Sequence, residues 1–323
     1  MRAQFARAAG RQLRMANYWL IAQAAKAAIS ILRLLPMDAA LKFADRTARR
    51  LGPLFGRHRV ALDNLRKAFP EKSEAEIRAI ALDMWGNMAR LGAEYIYLDR
   101  LFDYDAARPN AGRIEARGTD IYERLAAEKK AHIFFTAHLG NFELIPVGAE
   151  AYGLHTTALF RPPNNPYIAE YIFSTRSAAM GNLLASRQGA AIALARILED
   201  GGNIGALVDQ KFQYGLPTTF FGRPCETSPL LPKLARQFDC DVYPARSRRL
   251  PGNRFLLEIE EKLTLPRDAE GKVDVLATAQ LMNDVVERWV REEPGQWMWF
   301  HKRWKLSPPR KGRKAGQPAQ QSD

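Results

Sequence analysis

An imidazole and a carboxylate, His138 and Glu143, stand five positions apart in the stretch 131–144, AHIFFTAHLGNFEL. Residues five apart on one helix do not share a face. Here the local pattern changes between them. Residues 132–137 are apolar and β-prone and read as a buried strand. His138, Leu139 and Gly140 form a tight connection, and Gly140 lets the backbone turn sharply. Asn141 is a good N-cap for a helix from Phe142 onward. His138 is therefore expected at a strand end and Glu143 in the first turn of the next helix, a corner at which the two can meet. A carboxylate holding one imidazole nitrogen leaves the other to take a proton from a hydroxyl. The helix dipole favours an ionised Glu143. No nucleophilic Ser or Cys stands at the corner, so the pair suits direct attack by a substrate hydroxyl rather than a covalent enzyme intermediate.

Two further strand ends carry polar groups. Residues 156–160 read as a strand ending at Arg161, followed by a Pro-rich turn, and 203–208 as a strand ending at Asp209. Helical segments separate the strands. This alternation predicts an α/β fold with a mostly parallel sheet flanked by helices. Ligands of such sheets bind beyond the carboxyl ends of the strands. His138, Arg161 and Asp209, though distant in sequence, then belong on one rim. His138 and Glu143 are the catalytic candidates; Asn141, Arg161 and Asp209 are the substrate-binding candidates.

The elements around this core set its surroundings. The 323 residues include 48 Lys and Arg against 35 Asp and Glu, a net charge of +13. A surface this basic suits anionic lipid, a phosphorylated substrate, an acidic carrier protein or nucleic acid. No nucleic-acid motif, phosphate-cradling Gly-rich loop or paired-Cys metal spacing accompanies it. The two cysteines, Cys225 and Cys240, make no disulfide framework. Residues 1–17 are Arg-rich, with Arg7, Arg11 and Arg14 at helical spacing. Residues 18–35, YWLIAQAAKAAISILRLL, are long enough to span a bilayer yet contain Lys26 and Arg33. Gln23, Lys26, Ser30 and Arg33 make one polar stripe, which predicts a helix lying in the membrane interface. The alternative is a helix packed on the domain.

Three units are expected: an anchor over 1–36, an α/β domain over 37–305 with a helical cap at 37–110, and a disordered basic tail at 306–323. In the cap, Ser73-Glu-Ala-Glu76 is a capping box opening a long helix with Trp85 and Met88 on its apolar side. The stretch 218–232, TTFFGRPCETSPLLP, reads as an irregular apolar loop. Strands at 241–244 and 254–259 are joined through Arg246, Arg248 and Arg249. The segment 296–305, QWMWFHKRWK, sets Trp297, Trp299 and Trp304 among basic residues, a pattern that suits a headgroup-level membrane contact.

The spacing His138-x4-Glu143 resembles the signature of the glycerolipid (lysophospholipid) acyltransferase superfamily. The string His138-Leu-Gly-Asn-Phe-Glu143 resembles its bacterial branch, the late acyltransferases of lipid A biosynthesis of lauroyl or myristoyl type. The likeness extends through Phe160-Arg161-Pro-Pro-Asn-Asn165, Val208-Asp209-Gln210, Phe220-Phe-Gly222 with Thr227, and Trp297-Met-Trp-Phe-His-Lys-Arg-Trp304. It implies acyl transfer from an acyl-carrier-protein thioester to a hydroxyl of a lipid A precursor at the cytoplasmic face of the inner membrane. Neither a metal or other cofactor nor a nucleic-acid partner is implied. By resemblance His138 is the base, Glu143 its partner, and Arg161 the holder of phosphate or transition-state charge. Two other readings stay open: a glycerophospholipid acyltransferase, and a non-catalytic basic membrane-binding protein.

Removal of residues 1–35 is expected to move much of the protein off membranes and to leave the remaining binding salt-sensitive, because apolar burial and screened attraction act together. Membrane fractionation checks this. Unchanged, salt-resistant retention would place the anchor elsewhere.

Overall fold

The β-prone runs predicted at 132–137, 156–160, 203–208, 241–244 and 254–259 each contribute a strand, and these belong to one seven-stranded sheet. The computed structural model describes residues 2–105, 111–128, 130–177 and 181–308, with side chains at 2–11, 99 and 174–177 excepted. Arg7 and Arg11, as side chains, and most of the expected tail lie outside the described residues. Helices α1 (Arg2–Leu32), α2 (Met37–Leu51), α3 (Gly56–Ala68), α4 (Glu74–Glu94) and α5 (Leu98–Leu101) come first. Then follow β1 (Ile114–Arg117), α6 (Thr119–Ala127), β2 (His132–Thr136), α7 (Leu144–Ala151), β3 (Thr156–Phe160), α8 (Pro166–Ser177), β4 (Asn182–Ala185), α9 (Ala190–Glu199) and β5 (Asn203–Leu207). The chain continues through β6 (Leu216–Phe220), β7 (Arg223–Thr227), α10 (Leu230–Phe238), β8 (Asp241–Leu250), β9 (Arg254–Ile259) and α11 (Val275–Glu292).

The strand order is β1-β9-β8-β2-β5-β3-β4. Every neighbouring pair is parallel except β8 and β9. Side chains alternate across β2, which explains how one short strand serves two cores. Ile133 and Phe135 join the core under α3, α4, α10 and α11, and Phe134 joins the one under α5, α6 and α7. A sheet buried on both faces accounts for the near-continuous apolar run of β2.

Three expectations need correction. The stretch 218–232 is not an irregular loop: β6 and β7 form an antiparallel hairpin, with Phe221 and Gly222 both at positive φ in a two-residue turn. That turn usually takes Asn or Asp first. Phe221 stands there because its ring is buried against Phe69 and Trp299. Secondly, β8 does not end before the basic run. It continues through Arg246 and Arg249, whose charges are met by Glu258 and Glu94 inside the fold. Thirdly, β4 lies where no strand was read, at the sheet edge beside β3.

The predicted capping box is present, with Ser73 accepting from the Glu76 N–H and Glu76 accepting from the Ser73 N–H. It opens α4, whose far end reaches the sheet. There Glu94, fully buried, accepts from both terminal nitrogens of Arg249 on β8. Arg249 Nε donates to Asn87 Oδ1 at 2.9 Å, and Asn141 Nδ2 donates to Glu94 at 2.9 Å. Gln296 closes the ring, donating to Arg249 O at 2.9 Å and accepting from Arg249 N at 2.7 Å. One ion pair thus ties the helical layer, the sheet, the loop after β2 and the C-terminal segment.

Among the described residues no helix is long and apolar enough to cross a membrane. Helix α1 docks on α8: Asn165 Nδ2 donates to Tyr18 O at 2.8 Å, and Lys26 lies over the Tyr171 ring. Yet Trp19, Leu20, Ile31 and Leu34 remain exposed.

Removing one partner of a buried pair leaves the other charge unmet, at a cost of about 3–5 kcal/mol. Glu94→Ala is therefore expected to lower stability by that amount in denaturant unfolding. A loss below about 1 kcal/mol would mean that water reaches Arg249.

Candidate active site

The register of two strands builds the site. β2 and β5 pair in parallel with Ile133 opposite Ile204 and Thr136 opposite Leu207. Two residues beyond the last pair, the same offset sets His138 beside Asp209. His138 Nδ1 is 2.8 Å from Asp209 Oδ1, and the His138 N–H donates to Asp209 Oδ2 at 2.9 Å. Trp297 Nε1 donates to the same Oδ2 at 2.7 Å. Asp209 is only 3% exposed. Burial alone would push its carboxyl up. The charge of His138 and then the hydrogen bonds from His138 and Trp297 outweigh that, and the carboxyl is held at about 2. On the other side of the ring, Gln210 Nε2 lies 3.0 Å from His138 Nε2.

The connection after β2 is fixed from behind. Leu139 forms an isolated antiparallel bridge with Trp297, and the Gly140 N–H donates to Gln296 O at 3.1 Å. Gly140 has φ +57°, and a Cβ there would lie 2.2 Å from Ser247 O. Both facts require glycine. Asn141 does not open a helix at Phe142. Residues 142–143 form a turn, α7 starts at Leu144, and Asn141 Oδ1 accepts from the Glu143 N–H at 3.2 Å. With its amide on Glu94, Asn141 faces inward and supports the corner.

Glu143 occupies the turn and is 8% exposed. Burial pushes its carboxyl up to about 8, so it carries a proton at neutral pH. Burial acts against the help expected from the helix dipole, and Asp209 takes the Nδ1 position that the sequence reading gave to Glu143. Arg161 ends β3, exposed, with no hydrogen-bond or ion-pair partner among the described residues. Since β2, β5 and β3 are adjacent and parallel, His138, Asp209 and Arg161 do leave the sheet on one rim.

The C-terminal segment corrects a further expectation. Trp297 and Trp299 are 1% and 0% exposed, so they line the core beneath the site instead of a membrane surface. Asn64 Nδ2 donates to Trp299 O at 2.7 Å and to His301 O at 2.5 Å, fixing the segment to α3. His301 is brought within 6.5 Å of His138, ring centre to ring centre. Burial, then the charge of His138, lowers its pKa. Sequence reasoning singled out neither His301 nor Trp297 nor Gln210 as site residues. Their one signal was membership in polar and aromatic blocks near the strand-end candidates. Beside His301, Phe300 lines an apolar cavity of about 510 Å³ together with Phe43, Leu51, Trp85, Met88 and Tyr97.

The sequence profile of the family described as bacterial lipid A biosynthesis acyltransferase matches residues 8–306. The chain belongs to that family. It is 26% identical over 275 residues to the lipid A biosynthesis myristoyltransferase of Escherichia coli (strain K12), covering 83% of each chain. The lipid A biosynthesis acyltransferase 1 of Shigella flexneri is equally similar, at 26% over 275 residues and 83% of each chain. The lipid A biosynthesis acyltransferase of Haemophilus influenzae (strain ATCC 51907 / DSM 11121 / KW20 / Rd) is 26% identical over 192 residues, 58% of each chain. Membership makes the protein an enzyme of acyl transfer in lipid A synthesis and sets aside the non-catalytic reading.

Asp209 gives a pH signature. An ordinary Asp titrates near about 4, and this one is held at about 2 in the fold. A depressed carboxyl contributes stability that is present above the unfolded value and lost as pH falls through the folded one. The melting temperature of wild type relative to Asp209→Asn is expected to fall between about pH 4 and pH 2 and to be level above that window. Parallel curves would show that Asp209 is not held ionised by these contacts.

Proposed function

We propose that the enzyme moves an acyl chain from an acyl-carrier-protein thioester to a hydroxyl of a lipid A precursor, with His138 as general base. The observation that carries this is the hydrogen bond from His138 Nδ1 to buried Asp209, which leaves Nε2 as the nitrogen that can accept a proton. The substrate hydroxyl gives its proton to Nε2 as its oxygen attacks the thioester carbonyl. The tetrahedral intermediate then expels the thiolate, which recovers that proton. Asp209 orients the ring and stabilises the imidazolium. Glu143 shares the turn as a buried acid that completes the corner. The reading needs no cofactor beyond the thioester co-substrate.

Other features support the partners. The apolar cavity lined in part by Phe300 suits a fatty acyl chain, each buried CH₂ contributing about 0.8 kcal/mol. Exposed Arg161 suits a phosphate of the glycolipid, held through two hydrogen bonds. The net charge of +13 suits an acidic carrier protein and an anionic bilayer. The exposed apolar residues of α1 suit attachment at the cytoplasmic face of the inner membrane.

His138→Ala is expected to stay folded and to lose about 10²–10⁴-fold in turnover. Asp209→Asn should lose about 10²-fold or more, and more than Glu143→Gln, which replaces a protonated carboxyl by an amide of the same shape. Acyl transfer assays on variants with matched melting curves decide this. An active His138→Ala removes the base reading. The reverse order of the two acids would return the partnership with His138 to Glu143.

A further inference from the structure

Gln210 follows Asp209 beyond the end of β5 and is half-buried. Its amide nitrogen lies 3.0 Å from His138 Nε2. Nδ1 of the same ring is occupied by Asp209 at 2.8 Å. An amide N–H can only donate, so the resting ring accepts at Nε2 and donates at Nδ1. A donor is thereby set on the spot that the substrate hydroxyl must occupy. It is not needed to hold His138, which Asp209 grips through both ring and backbone. The Gln210 side chain makes no other hydrogen bond among the described residues, so it does not brace the fold either. Three neighbouring donors are engaged elsewhere: the His138 N–H on Asp209, the Gly140 N–H on Gln296 O, and Lys211 on Glu226 at 3.5 Å.

We propose that Gln210 is a catalytic residue whose amide N–H stabilises the oxyanion formed when the hydroxyl attacks the acyl carbonyl. The inference rests on His138 acting as the base. A hydroxyl bonded to Nε2 sits about 2.8 Å from it and displaces the amide. The carbonyl carbon under attack lies one bond beyond the hydroxyl oxygen. The displaced amide has only to swing to the flank of that carbon to come within about 3 Å of the carbonyl oxygen, the separation an oxyanion donor requires. As the new C–O bond forms, the proton passes to Nε2 and the carbonyl π pair moves onto the oxygen that faces Gln210. On collapse the pair returns, the C–S bond breaks, and the thiolate takes the proton from Nε2. The amide is unchanged throughout.

The test is steady-state kinetics with an acyl-carrier-protein thioester and a purified lipid A precursor. Gln210→Met, Gln210→Glu and His138→Ala are assayed side by side. Gln210→Met is expected to keep the wild-type melting temperature, hold both KM values within about threefold, and lose about 10²–10³-fold in kcat. Gln210→Glu, of the same shape but without the donor when ionised, should fall at least as far. If Gln210→Met retains or exceeds wild-type kcat while His138→Ala is inactive, the proposal is overturned, since Gln210 then only fills the resting base position. A loss confined to KM overturns it as well. If His138→Ala is itself active, the base reading fails and takes this one with it.

Discussion

The buried pair of Glu94 and Arg249 is the constraint on which the rest depends. Both side chains are buried, so each charge must be satisfied inside, and their pairing brings the end of α4 onto β8. Once there, the carboxylate has lone pairs to spare. Asn141 donates to it, Asn87 accepts from Arg249 Nε, and Gln296 bonds both the backbone N–H and the carbonyl of Arg249. A network in low dielectric is costly if any member is missing and rigid when all are present. The loop that carries His138 is therefore held against the C-terminal segment by a buried polar network.

Electrostatics then separates two acids lying near one histidine in sequence or space. Asp209 receives three N–H donors, from the backbone and ring of His138 and from Trp297, and stays ionised despite its burial. Glu143, in the apolar turn, is driven up to about 8 by desolvation. Environments that push two carboxyls apart assign them different work. An anion is available to orient an imidazole, and a neutral acid is available to fill a corner without repelling that anion.

How much of this was legible in the sequence follows from the range of each interaction. The capping box of α4, strand β3 and the strand–turn–helix corner after β2 are local, and residue types over a few positions specify them. The common rim of His138, Arg161 and Asp209 was legible too, because parallel strands leave a sheet in one direction. The bond between His138 and Asp209 was not. It depends on the register of β2 against β5, set by packing on both faces of the sheet. The Trp-rich segment misled for a related reason. Trp and Arg look alike at a membrane surface and in a core where Trp297 meets Asp209 and Arg303 meets Thr227 and Asn283. Only the tertiary partners distinguish the two.

Residues 300 and 301 mark the boundary between two kinds of chemistry. Phe300 stacks on Trp85 and faces the apolar cavity, while His301 turns toward His138. The backbone between them is pinned by Asn64, which holds the carbonyls of Trp299 and His301. Apolar burial is non-directional and tolerates sliding, whereas proton transfer demands a heavy-atom separation near 3 Å. A single rigid segment that borders both regions converts the loose register of the first into the strict register of the second. That is why a buried Asn on α3, far in sequence from every catalytic candidate, belongs to the design of the site.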